Sequence, residues 1–383
     1  MDIYYVANVR IPTEKAHGLQ ISKMCEAYAA QGHLVNLVVP RRKNSLNEDV
    51  FEFYGVSKNF KVTYLPIVTI FPNTLFGYYL LEVSFLFQLL WFFFRKEKKN
   101  EGVKVVTRDI FFALFFGRYL SVFYEMHDFP ERYLKLFTSA IKNAGLVIVT
   151  NEWKKREVVN RFGLSVSDVL TAPNGFDPKL FSPNVIPVKR DKIGIPIDAN
   201  IICYAGMLKT LGMDKGIRLL IEAAIQLPPG VVFLVIGGSE ADIAEYQGIA
   251  EMYSVKEKFF FVGRVPHHSM ASYLNVADAF VAPFPNTDHY RYYMSPIKLF
   301  EYMAMGKPVI ASDLPSIREV LKEEGYFFSP DDVGDFISVA SEVIAKRAGV
   351  SNQLLEQASK YTWSRRAENI ISFMSKNVPE QKL

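Results

Sequence analysis

The sequence predicts an α/β protein made of two doubly wound domains, each with a parallel sheet. Short apolar runs alternate with helical patterns through both halves of the chain, which is typical of parallel sheets covered by helices. A stretch rich in proline and turn formers follows Pro173, and the alternation restarts after it. With 383 residues, the chain is long enough for two domains with sizeable cores.

The predicted strands of both halves are short runs of apolar and β-branched residues. In the first half they are residues 3–7, 34–39, 103–107, 122–125, 146–150 and 169–172. In the second half they are residues 201–205, 231–236, 259–262, 279–282, 309–311 and 326–328. Helices are predicted between them, including 19–31 before Gly32, and a last amphipathic helix covers 363–376. Two such domains facing one another leave a cleft at the carboxyl ends of their strands, where ligands of open parallel sheets bind.

The amino-acid composition indicates a globular protein and gives no sign of nucleic-acid binding. Half of the residues are hydrophobic and 22% are charged, as in a globular protein. The net charge of +4 is small for this length, so no nucleic-acid partner is predicted. Cys25 and Cys203 fall in a predicted helix and a predicted strand as small apolar residues. With no secretory signal predicted at the N-terminus, we expect a reducing, cytoplasmic location.

The longest apolar stretch, residues 75–94, has the length of a membrane span. Its interior holds Gly77, Glu82, Ser84 and Gln88, which disfavour a spanning helix. Two alternatives stay open. The stretch is a core helix, or it lies on an anionic membrane surface through the region 75–99, whose last residues are mostly basic.

In the first half, candidate functional residues follow predicted strands. Gly18 stands where the first helix begins, and a glycine there lets a phosphate approach the backbone, although a plain turn explains it equally well. Glu125, His127 and Asp128 lie at the carboxyl end of the strand predicted at 122–125. Histidine titrates near neutrality and can exchange a proton with a reacting oxygen, although a histidine at a strand end is often structural.

In the second half, cationic side chains follow the strands. Gly206 ends one strand, and Lys209 and Lys215 lie in the loop after it. Arg264 follows another strand. Lysine neutralises a pyrophosphate as a point charge and arginine can bind a phosphate with two hydrogen bonds. A solvated loop, or an arginine that caps a carbonyl, remains the alternative.

The stretch 279–312 combines a strand, a loop and a helix. Ser295 is predicted to cap the helix, Pro296 to be its first residue, and Gly306 to end it after Met305. The free N–H groups at such a helix start attract anions, and Glu301 could accept hydrogen bonds from a diol such as a ribose. The alternative is that Lys298 and Glu301 form an exposed ion pair one turn apart.

Several familiar motifs are missing from the sequence. There is no G-x-G-x-x-G and no Walker P-loop, which disfavours a dehydrogenase or a P-loop phosphotransferase. There is no Asp-x-Asp pair, no His-Glu-x-x-His and no cysteine cluster, and the adjacent His267 and His268 would not share a helix face. The sequence therefore predicts neither a metal nor a resident cofactor.

Taken together, the motifs resemble the family 4 retaining glycosyltransferases of the GT-B fold. The resemblance covers most of the chain. Its motifs are G-H-x-V from Gly32, N-G-F-D at 174–177, Y-A-G-x-L with a later K-G, V-G-R-V, and S-P-I-K-L-F-E-Y-M-A-M-G-K-P-V-I-A-S. It implies a Rossmann-like acceptor domain at 1–180, a Rossmann-like donor domain at 181–360, and a helix at 361–383 that crosses back onto the first domain.

The resemblance also implies an activity. A sugar would move from a UDP- or GDP-sugar to a carbohydrate or lipid-linked acceptor, with retention of configuration and without a metal. An acceptor at the membrane would make the chain a peripheral enzyme of polysaccharide biosynthesis on the inner face of the membrane. The oligomeric state is not indicated.

Site residues follow from the same resemblance. Glu301 would bind the ribose, Lys215 the pyrophosphate, and His127 would lie near the transferred sugar; these three are the catalytic candidates. The further donor-binding candidates are Gly18, Gly206, Lys209, Arg264, Val265, Ser295, Pro296 and Ile297. Candidates on the acceptor side are Arg108, Glu125 and Asp128.

Two positions depart from the family pattern. Tyr293 stands where a glutamate usually contacts the sugar hydroxyls, and Met207 stands where an arginine often follows the strand-end glycine, with Lys209 as the candidate substitute. Two other functions therefore stay open, namely a nucleotide-sugar 2-epimerase of the same fold and a non-catalytic nucleotide or sugar binder.

Overall fold

The computed structural model describes residues 1–70, 74–94, 102–210, 212–347 and 349–377. The chain folds into two compact units. The first unit is Met1–Pro173 with Trp363–Leu383, and the second is Asn174–Thr362.

The sheet of the first unit contains, among its described residues, seven parallel strands. They are β1 Asp2–Val6, β2 Leu34–Pro40, β3 Lys61–Leu65, β4 Val103–Thr107, β5 Ser121–Met126, β6 Leu146–Val149 and β7 Val169–Thr171. Their order in space is β3-β2-β1-β4-β5-β6-β7, so the direction of winding reverses between β1 and β4. Open parallel sheets bind ligands at the carboxyl end of such a switch point.

Helices of the first half connect these strands. They are α1 Ala16–Ala30, α2 Val50–Tyr54, α3 Leu75–Phe94, α4 Ile110–Phe116, α5 Leu134–Ala144 and α6 Glu152–Phe162. The six predicted strands are all present, with ends that differ by one residue at most. Sequence analysis missed β3 because this edge strand buries only its last residue fully and has no continuous apolar run.

Helix α3 has the predicted length and is buried along one face only. Phe85, Leu89 and Phe93 are buried, whereas Phe87 and Leu90 on the other face are 65% and 53% exposed. By length and composition the helix could cross a membrane, and 22% of its most apolar 18-residue window is buried. It is therefore part of the core on one side only. The mostly basic segment 95–99 that follows it lies outside the described residues.

The sheet of the second unit contains six parallel strands within the described residues. The strands of this half are β8 Asn200–Ala205, β9 Lys209–Thr210, β10 Met213–Asp214, β11 Val231–Ile236, β12 Phe259–Gly263, β13 Ala279–Ala282, β14 Val309–Ser312 and β15 Gly325–Phe328. The order of the six is β12-β11-β8-β13-β14-β15, while β9 and β10 form a separate antiparallel pair that sequence analysis missed.

Helices of the second half cover this sheet. They are α7 Ile217–Ala224, α8 Glu240–Met252, α9 Met270–Leu274, α10 Ile297–Ala304, α11 Pro315–Leu321, α12 Val333–Lys346 and α13 Asn352–Ala358. The proline-rich segment after Pro173, which we interpret from sequence as a linker, belongs to this unit. Its Phe181 is buried in the core, and Phe176 bridges to Thr362.

The last helix, α14 Trp363–Lys376, returns to the first unit and packs against α1. Arg366 on α14 donates hydrogen bonds from Nε to the carbonyl oxygens of Ala172 and Pro173, at 3.2 and 3.0 Å. The predicted crossing of the final helix back onto the first domain is therefore confirmed.

The switch point of the second sheet lies between β8 and β13. The first two residues of β13 pair with the middle of β8, Ala279 with Ile202 and Phe280 with Cys203. Further along, the N–H of Ala205 donates to the Tyr302 hydroxyl of α10 at 2.7 Å. The two strands thus part toward their carboxyl ends, and a side chain from α10 replaces the missing strand contact.

Helix α10 begins later than the sequence predicts. Pro296 is its N-cap and Ile297 its first residue, and among the described residues no side chain caps it. The predicted capping by Ser295 is wrong, because its hydroxyl accepts a hydrogen bond from the N–H of Asn174 at 3.0 Å. The left-handed Gly306 at the other end is confirmed by a φ of 68°.

Two structural constraints favour glycine at position 216. Its φ is +89°, and an added Cβ would lie 1.8 Å from the carbonyl oxygen of Pro283, whereas the nearby Gly212 has φ +79° and open space around its Cβ position. We expect Gly212→Ala to cost about 1 kcal/mol through backbone strain alone. Gly216→Ala should cost about 3 kcal/mol or more, because the backbone must also move.

Urea unfolding of both variants, compared with the wild-type chain, measures this difference. Equal losses of unfolding free energy in the two variants would contradict the close approach of Gly216 to Pro283.

Candidate functional site

Three neighbouring strands of the second sheet end in glycines with positive φ. They are Gly206 after β8, Gly237 after β11 and Gly263 in β12, with φ of 133°, 107° and 74°. The backbone is close-packed here, since an added Cβ on Gly237 would lie 2.4 Å from the Gly206 carbonyl oxygen. At these three positions the carboxyl edge of the sheet exposes backbone and no side chain. A ligand can therefore approach the backbone closely.

Lys215 is fixed in place by the loop around it. The Lys215 N–H donates to the Leu208 carbonyl oxygen at 3.1 Å. The neighbouring Asp214 carboxylate accepts from the Gly216 N–H at 2.7 Å and from the Tyr246 hydroxyl at 2.5 Å. Burial lowers the pKa of Lys215 below its usual value. The predicted pyrophosphate lysine is thus a partly buried amine beside the start of α7.

Lys298 and Glu301 do not form the exposed ion pair that was the alternative interpretation. The Lys298 nitrogen is buried above the Tyr204 ring, 3.8 Å from its centroid, and 5.3 Å from that of Phe284. Burial, and then the charge of Lys215, hold the pKa of Lys298 well below its usual value. Glu301 turns to a different partner, so that interpretation is wrong.

The partner of Glu301 is His267. Glu301 is 7% exposed, and its Oε1 lies 2.8 Å from His267 Nε2. The imidazole also packs against the Phe181 ring, with 5.4 Å between centroids. Sequence analysis considered His267 only as a metal ligand. Its position shortly after β12, at the same sheet edge as the other candidates, is the signal that could have found it.

Lys209 and Arg264 lie further from this group. Lys209 forms an ion pair with Glu245 on α8, and its nitrogen lies 5.6 Å from the centroid of the Tyr246 ring. Arg264 is exposed directly after β12, which is the edge strand of the sheet, and Val265 packs against the core. Gly206, Lys215, Lys298 and Glu301 thus lie together at this edge of the sheet. Lys209 is instead paired with Glu245.

The start of α10 is held by the segment after Pro173. Besides the bond to the Ser295 hydroxyl, Asn174 donates from Nδ2 to the Ser295 carbonyl oxygen at 2.7 Å. Pro296 and Ile297 follow directly at the uncapped helix start. Tyr293, which takes the place of the expected glutamate, ends a π-helical turn over His289–Tyr293.

In the first unit, Glu125 is the centre of a buried polar network. It is 1% exposed, at the carboxyl end of β5. Four side chains donate to its carboxylate; they are Tyr5, Gln20 at 2.9 Å, His127 at 3.0 Å and Arg366 at 2.6 Å. Burial alone would raise the pKa of Glu125, but Arg366 and then His127 hold it well below its usual value. Glu125 is therefore ionised.

His127 is a neutral imidazole in this network. Burial, and then the charge of Arg108, lower the pKa of His127 to about 3. Because an ionised carboxylate only accepts hydrogen bonds, His127 Nε2 carries the proton and Nδ1 is left as an acceptor. The buried Lys154 donates to the His127 carbonyl oxygen and, at 2.6 Å, to the Thr150 hydroxyl. Sequence analysis missed Lys154 and Arg366.

Three other predicted residues have different surroundings. Arg108 donates to the Gln20 side chain at 3.2 Å and so reaches the network, whereas Asp128 is exposed. Gly18 has a packing role, because an added Cβ would lie 2.0 Å from the Tyr54 hydroxyl. Its N–H donates to the Lys15 carbonyl oxygen at 3.0 Å. A phosphate contact of Gly18 stays a prediction.

A second polar cluster at the carboxyl edge of the first sheet escaped sequence analysis. Asn8 donates to Glu82 of α3 and accepts from Arg42. Burial, and then the charge of Asp109, raise the pKa of Glu82 to about 7. A single carboxylate within an otherwise apolar helix was the available signal. Within the described residues no group of three metal-ligating side chains could hold a metal ion.

Comparison with solved structures identifies the fold. Sucrose-phosphate synthase from Thermosynechococcus elongatus superposes with a TM-score of 0.75 and 20% identity, covering 98% of this chain and 99% of that one. Anabaena HepE in complex with UDP-glucose superposes with a TM-score of 0.69 and 17% identity, covering 98% and 100%. Two proteins with little sequence identity therefore share the whole architecture.

Sequence comparison finds relatives among glycosyltransferases. The chain is 25% identical over 188 residues to the D-inositol 3-phosphate glycosyltransferase of Xylanimonas cellulosilytica, which covers 47% of this chain and 43% of that protein. It is 21% identical over 266 residues to the Mycobacterium tuberculosis (strain H37Ra) protein of the same name, which covers 66% and 53%. The chain spans about half the length of these curated relatives.

The match to a family model falls on the second unit. Residues 199–346 match the model described as glycosyl transferases group 1. This range contains Gly206, Lys215, His267, Lys298 and Glu301, the side chains and backbone that meet at the edge of the second sheet. The chain has the GT-B fold, and its second unit is similar to the group 1 glycosyl transferases, the family 4 enzymes that its motifs resemble.

Proposed function

We propose that this chain transfers a sugar from a nucleotide-sugar donor, a UDP- or GDP-sugar, to a carbohydrate or lipid-linked acceptor with retention of configuration. The observation that carries the proposal is the group at the switch point of the second sheet. There Lys215 and the uncapped start of α10 suit a diphosphate, and the buried Glu301 suits the hydroxyls of a ribose. Anabaena HepE, which shares the fold, is known in complex with UDP-glucose.

In this proposal the second unit stabilises the leaving group. When the bond between sugar and phosphate breaks, negative charge builds up on the diphosphate. Lys215 supplies a positive charge, and the first N–H groups of α10 supply the positive end of a helix dipole. Both are already positioned before the reaction, so little reorganisation is needed. The proposal includes no metal and no covalent nucleophile.

The first unit supplies His127. Its imidazole is neutral, and Glu125 fixes the proton on Nε2, so Nδ1 can accept a hydrogen bond from a sugar hydroxyl. We assign this contact to the transferred sugar or to the acceptor. Arg366 and Lys154 hold the network in place but do not take part in the reaction.

A lipid-linked acceptor is supported by the first unit. The exposed face of α3 carries Phe87 and Leu90, and a cavity of about 740 Å³ between α3 and α4 is lined largely by phenylalanine and leucine. Apolar surface of this kind favours contact with lipid. We propose that the chain works as a peripheral enzyme on the inner face of a membrane, in the synthesis of a surface polysaccharide.

A thermal-shift series with UDP, GDP and ADP, followed by their sugars, tests the donor. We expect one nucleotide, at 100 times its dissociation constant, to stabilise the chain by about 2.7 kcal/mol, which raises Tm by several degrees. No shift with any of the three would contradict the proposal.

Incubation with the donor that binds also distinguishes the two alternative functions, an epimerase and a non-catalytic binder. Formation of an isomer from donor alone would identify an epimerase. Binding without transfer to any of a panel of acceptors would identify a non-catalytic binder.

Variants of Glu301 and His127 should fail in different ways. Glu301→Gln removes charged hydrogen bonds worth about 1.5 to 3 kcal/mol each, so the affinity for the nucleotide should fall about 10-fold to 100-fold. His127→Ala should keep that affinity and lose transfer, because His127 is assigned to the sugar and not to the nucleotide. Titration calorimetry and a transfer assay measure the two effects.

Glu323→Gln on the exposed surface serves as the control for loss of a carboxylate. Unchanged nucleotide affinity in Glu301→Gln would remove Glu301 from the donor site. A loss of nucleotide affinity in His127→Ala would reassign His127.

Membrane contact can be measured by flotation with vesicles that contain anionic lipid. The double variant Phe87→Ser and Leu90→Ser removes two exposed apolar side chains, each worth about 1.5 to 3 kcal/mol when buried in lipid. We expect vesicle binding to fall about 100-fold. Ile197→Ser, at a position 89% exposed in the second unit, is the matched control, and equal binding by all variants would contradict contact through α3.

A further inference from the structure

Lys298 is a buried amine without a hydrogen-bond acceptor. Its nitrogen is excluded from solvent, and no described residue accepts a hydrogen bond from it. Two partly buried lysines of the same unit differ in this respect. Lys307 donates to the carbonyl oxygens of Asn275 and Ala277 at 2.6 and 2.8 Å, and Lys258 donates to those of Ala224 and Leu227. The protein satisfies these amines and leaves Lys298 unsatisfied.

An unsatisfied buried amine costs free energy. A charged group that leaves water without a partner loses several kcal/mol, and even the neutral amine loses its hydrogen bonds. The Tyr204 ring, 3.8 Å from the nitrogen, recovers only part of this as a cation–π contact. Glu301, the nearest carboxylate on the same helix, is turned to His267. The arrangement is therefore unfavourable in the ligand-free protein.

The amine lies at the place where a ligand of this sheet would bind. An added Cβ on Gly206, at the end of β8, would be 3.0 Å from the Lys298 nitrogen. Gly206 ends the strand at the switch point between β8 and β13, and Lys298 is the second residue of the uncapped α10. A larger residue than glycine at 206 would therefore press against the amine.

A second cation stands beside it. The charge of Lys215 acts on Lys298 and disfavours its protonated form, whereas Glu301 and Cys203 have the opposite effect. Two lysines that repel each other beside a helix start favour an anion with more than one charge. A diphosphate meets this description better than a single carboxylate does.

We propose that Lys298 is a second phosphate-binding residue of the donor site, which together with Lys215 holds the diphosphate of the nucleotide-sugar. This inference rests on the proposed function and deepens it. It also accounts for the departure at position 207, where methionine replaces an expected arginine. Lys209, the candidate substitute from sequence, is neutralised by Glu245. Lys298 supplies the missing charge from α10.

The experiment compares wild type with Lys298→Met, which keeps most of the side-chain length and removes the amine. The probes are the nucleoside diphosphate that binds the wild-type chain, its free nucleoside, and inorganic pyrophosphate, titrated by calorimetry. We expect at least 10-fold weaker binding of the diphosphate and of pyrophosphate, with unchanged binding of the nucleoside. The Tm of the ligand-free variant should be equal to or above that of wild type, because an unsatisfied buried amine is removed.

Lys307→Met is the matched control, since it removes a partly buried amine that does have acceptors. Its Tm should fall and its affinity for the diphosphate should stay unchanged. Equal diphosphate affinity in wild type and Lys298→Met would overturn the inference, and so would an equal loss for the nucleoside. If the wild-type chain binds none of UDP, GDP and ADP, the proposed function itself fails, which distinguishes the two failures.

Discussion

Buried charge determines how both candidate sites are built. Glu125 is almost fully buried, and four donors from four separate segments of the chain meet its carboxylate. Because each donor would be costly to leave without its acceptor, the segments hold one another in position. His127 receives its orientation from this network, whereas burial and the charge of Arg108 keep it neutral. The geometry of the first site thus depends on the buried charge of Glu125.

In the second unit, a buried charged group lacks hydrogen-bond partners in the described part of the chain instead of being surrounded by them. The charge of Lys215 disfavours protonation of Lys298, and the Lys298 amine has no acceptor among the described residues. An anionic ligand would supply the hydrogen-bond acceptor that the Lys298 amine lacks. Its binding would therefore stabilise the site. The Glu125 carboxylate receives its hydrogen bonds from the protein itself, whereas in our proposal the Lys298 amine receives its acceptor from the ligand.

The sequence predicted most of the fold because buried parallel strands appear as continuous apolar runs. It failed where partners are far apart along the chain. The Ser295 hydroxyl has the pattern of a helix cap, but it bonds to Asn174, 121 residues away. The link from Arg366 to Glu125 spans 241 residues. The contacts of Lys298 and Glu301 depend on the directions of their side chains. Their spacing along one helix does not determine these directions. Glu301 and Lys215 could be chosen as candidates from sequence because their motifs are local.

The return of α14 to the first unit has a consequence for synthesis of the chain. The first unit is built from two separate segments of the chain, whereas the second is one continuous segment. On the ribosome, the second unit can therefore close as soon as its last residue emerges. The charge that Arg366 supplies to Glu125 arrives only with the final helix. The half of the molecule that is made first is consequently the half that is finished last.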